Sequence, residues 1–94
     1  MKSVYTVEVI ESERGWGRNI HDYMICIDKE NADSFMQEFN KDNSSVGPVP
    51  DWYMQAQELR ETTCTDEAYA IIEKDKFKRC WQSYIKKTIN NKDK

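Results

Sequence analysis

Ninety-four residues, 38% hydrophobic and 33% charged, hold enough apolar material for one small core and none to spare. Apolar runs of only a few residues fall far short of the ~20 that cross a bilayer, and Met1-Lys2-Ser3-Val4-Tyr5 has no apolar signal segment. With a net charge of −3, the chain reads as a small soluble domain of the cytoplasm. A membrane protein, a secreted protein, a multidomain enzyme and a disordered chain are all argued against.

From Lys2 to Glu13, Tyr5, Val7 and Val9 alternate with Thr6, Glu8 and Ile10, the period of a strand rich in β-branched and aromatic residues. Gly15, Gly17 and Asn19 interrupt it. Tyr23, Ile25 and Ile27 then alternate with Asp22, Met24 and Cys26 as a second strand, so the pair forms an antiparallel hairpin. Asp28 or Asn31 can cap the next element, where Ala32, Phe35, Met36 and Phe39 form the stripe of an amphipathic helix ending near Lys41. Residues 40–50, with Pro48 and Pro50, read as a loop. A third strand follows from Asp51 to about Glu61, with Trp52, Met54 and Ala56 on one side and Tyr53, Gln55, Gln57 and Leu59 on the other.

Thr65 or Asp66 caps a last helix that starts with Asp66 and Glu67, charges favoured at a helix N-terminus. Ala68, Ile71 and Ile72 form its first apolar patch, and Phe77, Cys80, Trp81, Tyr84, Ile85, Thr88 and Ile89 the second. The stripe slips by five between Ile72 and Phe77, so the helix bends around Lys74-Asp75-Lys76 or two helices meet there. The order ββαβα predicts an α+β two-layer domain with a three-stranded, mainly antiparallel sheet and helices on one face. Residues 1–94 form a single domain: a ββαβ body over 1–62 and a long C-terminal helix over 65–91.

Two blocks carry a resemblance. Glu11-Ser12-Glu13-Arg14-Gly15-Trp16-Gly17 and Val49-Pro50-Asp51-Trp52-Tyr53-Met54, with Glu38-Phe39-Asn40 between them, resemble short uncharacterised bacteriophage-encoded proteins. In those, an ESERGWG hairpin precedes a helix ending EFN and a PDWYM strand. The resemblance covers residues 3–59, about 60% of the chain. It implies an origin, a phage or prophage protein acting in the bacterial cytoplasm, more than a mechanism. The basic segment after Glu61 departs from the shorter members.

Catalytic chemistry finds little purchase. His21 and Asp22 are adjacent strand residues and point to opposite faces, so they make no relay. Cys26, Cys64 and Cys80 could each offer a nucleophile, but no neighbour marks one as activated. Their spacings of 38 and 16 contain no paired-cysteine zinc unit, and the odd count fits reduced thiols. Glu11 and Glu13 share a strand face and more plainly read as solvated than as a cation site. Gly15 and Gly17 do not lead into a helix and form no phosphate loop. No catalytic residue, metal or cofactor is assigned.

Binding features are stronger. Trp16 lies between two glycines flanked by Arg14 and Arg18, and Trp and Arg are the types most enriched at binding hot spots. The plain alternative is that Trp16 folds back over the sheet edge. In the last helix, Lys76, Arg79, Lys86 and Lys87 fall opposite the apolar stripe, a basic face for phosphates, for an acidic partner or simply for water. Charge also divides along the chain. Residues 1–73 carry 6 basic against 15 acidic residues, and residues 74–94 carry 8 against 2. Such an acidic body could even imitate nucleic acid, although scattered acidity more often keeps a small protein in solution.

The reading is a non-enzymatic interaction module, phage-encoded, that binds a host or phage macromolecule and alters its activity, with a protein as first partner. Arg14, Trp16 and Arg18 are its expected contacts. The alternative is a small nucleic-acid-binding protein using Lys76, Arg79, Lys86 and Lys87. The aromatic stripe of the last helix also suits a homodimer.

Overall fold

The computed structural model describes residues 1–13, 17–43 and 52–92. Four antiparallel strands, β1 (Lys2–Glu13), β2 (Gly17–Cys26), β3 (Trp52–Cys64) and β4 (Arg79–Trp81), form one sheet in the order β3-β1-β2-β4. Helices α1 (Lys29–Asn43), α2 (Asp66–Lys74) and α3 (Gln82–Lys92) complete an α+β fold.

Both faces of the sheet are covered, because the chain crosses it twice. From β2, α1 passes over β1 to reach β3, and its Ala32 and Phe35 pack with Val7, Val9, Met24, Cys26 and Ala56. From β3, α2 crosses the opposite face to β4, and α3 returns beneath β2. There Ala68, Ile72 and Ile85 pack with Val4, Ile25 and Cys80. Val4 and Val7 thus bury opposite sides of β1 in separate cores. The expected two-layer arrangement with helices on one face is corrected to three layers.

The start signals operate as read. The Asp28 carboxylate accepts from the amide of Asn31 at 2.8 Å, and the Thr65 hydroxyl accepts from the amide of Ala68 at 3.1 Å. Helix α1 continues to Asn43, so residues 40–43 are helical rather than loop; residues 44–51 lie outside the described residues. Asn40 turns its side chain onto β3, where its Nδ2 donates to the carbonyl of Ala56 at 3.0 Å and its Oδ1 accepts the Ala56 amide at 2.8 Å.

Two departures have local causes. In β3 the register against β1 shifts at Glu58, whose φ of 53° marks a bulge. The extra residue returns Leu59 to the face of Met54 and Ala56, where it packs on the α1 core instead of pointing away. The helix expected over 65–91 is two helices joined through a strand, and the expected three strands are four. After α2, Asp75 leaves helical geometry and its carboxylate accepts the amide of Phe77 at 2.8 Å. A short polar side chain that captures backbone amides competes with the helix ladder. Lys78, at φ 56°, then completes the turn into β4.

Candidate interaction surface

Strand β4 is short and ends the sheet, so its outer edge faces away from every other strand. Its central residue, Cys80, faces the α2–α3 core, while Arg79 and Trp81 lie on the α1 side. Trp81 stands edge-on to Phe35 and Phe39, with ring centroids 5.7 and 6.5 Å away. Arg79 lies between two rings, its guanidinium carbon 5.2 Å from the Phe35 centroid and 5.3 Å from that of Phe77. Its Nη2 donates to Glu38 of α1 at 2.9 Å.

Around this edge opens a cleft of about 310 Å³, lined by Met24, Asp75, Phe77, Arg79, Cys80, Trp81 and Tyr84. Phe77 and Tyr84 are each 56% exposed, an unusual outlay of aromatic surface for so small a chain. Lys76 reaches over the Phe77 ring, its Nζ 5.5 Å from the centroid. The Lys78 ammonium donates to the carbonyl of Glu73. Lys87, three residues past Tyr84, shares its side of α3.

The basic residues expected on one helix face do not come together. Arg79 belongs to a strand, is only 18% exposed and is paired with Glu38, so it serves as a packing clamp rather than a free cation. Lys76 sits in the turn before β4. Lys86 borders a different groove, of about 640 Å³, where Arg60, Tyr23 and several threonines rim a floor that includes Val4, Ile25 and Ile85. Of the hairpin-tip residues, Arg14 and Trp16 lie outside the described residues, and Arg18 is exposed near the start of β2. Phe77 and Tyr84 were grouped by periodicity with the apolar stripe. The slip after Ile72 marks where the helix breaks, but the turn at Asp75 and the strand Arg79–Trp81 are what part these two rings from the buried stripe.

The remaining reactive groups are placed for structure. Burial pushes the Cys26 thiol up to about 12 and that of Cys80 up to about 11, and it also raises Cys64. Such thiols hold little of the nucleophilic thiolate at neutral pH. His21 is exposed, with Nδ1 3.6 Å from Glu11 across the hairpin. Asp22 instead accepts the amide of Tyr23 at 2.7 Å and the hydroxyl of Ser83 at 2.6 Å, tying the first turn of α3 to β2. Among the described residues no three His, Cys, Asp or Glu side chains gather as a metal site, and no helix is long and apolar enough to cross a membrane.

No protein-family model, curated protein or solved structure matches the chain.

Proposed function

We propose that the protein is a non-enzymatic interaction module that binds a protein partner through the surface around β4. One observation carries the reading: Phe77 and Tyr84, both more than half exposed, flank a cleft at the open end of the sheet. A small protein gains stability from every buried ring, so two rings left in water serve contact better than folding. Elsewhere in the α2–α3 unit, Ala68, Ile72 and Ile85 are buried and Tyr69, Ile71 and Ile89 are partly so. With the terminal helix divided, the long aromatic stripe that suited a homodimer is interrupted, and Phe77 and Tyr84 are the most exposed rings among the described residues. If the chain is phage-encoded, as the resemblance of residues 3–59 implies, such a partner would be a protein of the bacterial cytoplasm.

Nucleic acid is the second reading, favoured by Lys76 beside an exposed ring, since aromatic faces next to cations suit unstacked bases. It is the weaker one, because Glu38 occupies Arg79, Asp75 lines the cleft and Lys86 lies on another groove. Affinity capture from a bacterial extract, with the retained protein identified by mass, tests the first reading. Wild type should hold a protein that Tyr84→Ala loses, with the melting curve unmoved. An identical retained set for both chains would sink it. Retention of nucleic acid with a steep salt dependence would favour the second reading.

A further inference from the structure

The pairing of β4 with β2 determines which of its backbone groups are engaged. The register sets Met24 opposite Trp81, Ile25 opposite Cys80 and Cys26 opposite Arg79. One step further, the amide of Ile27 donates to the carbonyl of Lys78 at 3.0 Å. Hydrogen-bonded pairs alternate along an antiparallel ladder, so the next such pair is Ile25–Cys80. The amides of Arg79 and Trp81 therefore turn outward. The same alternation on the other side of the sheet turns the backbone of Ala56 outward, and Asn40 meets it there. The two edges of the sheet are thus treated differently: β3 is closed by a side chain and broken by a bulge at Glu58, whereas among the described residues nothing pairs with the outer edge of β4.

We propose that the open edge of β4 accepts one extended segment of an acidic protein partner as a fifth strand, with an apolar side chain of that segment seated between Phe77 and Tyr84. The proposal deepens the function proposed above and rests on it. Strand addition suits the site because backbone pairing supplies general affinity while a flanking pocket supplies selectivity. With three residues, β4 is too short to hold a strand by backbone bonds alone, so the aromatic pair is the required anchor. Charge chooses the partner: Lys76, with its ammonium 5.5 Å from the Phe77 centroid, Lys78 next to β4 and Lys87 on the Tyr84 side of α3 flank the two rings, while the cleft lining itself holds Asp75 and the Glu38-paired Arg79. A second copy is a poor occupant. Its acidic edge strand, β3 with Glu58 and Glu61, is the edge that Asn40 and the bulge close.

Selection of short random peptides on the full-length protein provides the probe. Enriched peptides should carry Asp or Glu at alternate positions about an aromatic or branched residue. A synthetic peptide from that pool should slow exchange of the Arg79 and Trp81 amides by about an order of magnitude. Methylating its alternate backbone nitrogens should abolish binding, and Phe77→Ala, Tyr84→Ala and the charge reversal Lys76→Glu should each weaken it about tenfold or more, with melting curves checked for every variant. Strand addition is overturned if no peptide is enriched, if the pool is not acidic, or if the methylated peptide binds as well. In the last case, binding that still needs Tyr84 leaves the interaction surface standing. Indifference to both Phe77→Ala and Tyr84→Ala removes strand addition and interaction surface together. Tyr84-dependent displacement of the peptide by oligothymidylate would make a nucleic-acid strand the occupant instead.

Discussion

Asn40 meets Ala56 as a neighbouring strand would, giving one hydrogen bond to its carbonyl at 3.0 Å and taking one from its amide at 2.8 Å. A side-chain amide has the same donor and acceptor as a peptide group, so a single residue of α1 closes a point on the sheet edge that another chain would otherwise template.

Replacing Asn40 by Ala should therefore do two things. Stability should fall by about 1–3 kcal/mol, the cost of leaving part-buried backbone groups unpaired. The exposed β3 edge should also promote self-association, visible as concentration-dependent sedimentation. Asn40→Asp keeps the acceptor but sets a carboxylate against the Ala56 carbonyl, and it should be no better than Ala in a denaturant titration.

Arg79 should behave as a structural residue. Arg79→Ala loses contact with two rings and an ion pair whose Glu38 end is 62% exposed, together worth about 1–2 kcal/mol. Glu38→Gln should remove only the smaller share, about 0.2–1 kcal/mol, since water screens that end of the pair. A double-mutant cycle by chemical denaturation measures both, and high salt should shrink the Glu38 share alone.

How far the sequence reached is clear from individual residues. Alternation in Lys2–Glu13, the Ala32–Phe39 stripe and the caps at Asp28 and Thr65 were readable because each depends on neighbours within one turn or one strand. Layering was half readable. Apolar residues on both faces of β1 (Val4 and Ile10 against Val7 and Val9) signal a strand buried on both sides, which a one-faced sheet does not explain. Strand β4 was not readable, since Arg79-Cys80-Trp81 also fits a helical stripe and only tertiary pairing with Met24–Cys26 makes it extended. Leu59 was misplaced because a bulge reverses parity without a glycine to announce it. Of the candidate site, the aromatic types were visible, but their exposure depends on the Asp75 turn.

Alkaline pH should destabilise the fold through its thiols. In the unfolded chain Cys26 and Cys80 ionise near their ordinary value of 9.0, while in the folded protein they hold their protons until about 12 and about 11. The raised folded values give a contribution fully present below pH 9 and lost progressively between there and the folded values. Each thiol adds a slope of roughly 1.4 kcal/mol per pH unit across that window. Denaturation midpoints measured over the window should fall, and Cys26→Ala should reduce the slope.

The two cores should melt together. Ile72 is fully buried beneath one face and Phe35 is buried on the other. Ile72→Ala should cost about 2–5 kcal/mol and Phe35→Ala about 3–5 kcal/mol. Because β1 and β2 line both cores, each variant should lower the unfolding transition seen by Trp fluorescence and by far-ultraviolet circular dichroism to the same temperature. Separate transitions would show the cores to be independent.

The position of β4 at the end of the sheet also bears on synthesis. Met24–Cys26 leave the ribosome long before Arg79–Trp81, the strand that flanks them. Until then the hairpin has Val4 and Ile25 with no helix beneath them, and a sheet edge open along its whole length. Folding of the nascent chain must wait until α2, β4 and α3 have emerged, and a chain in that state is the one most in need of a chaperone.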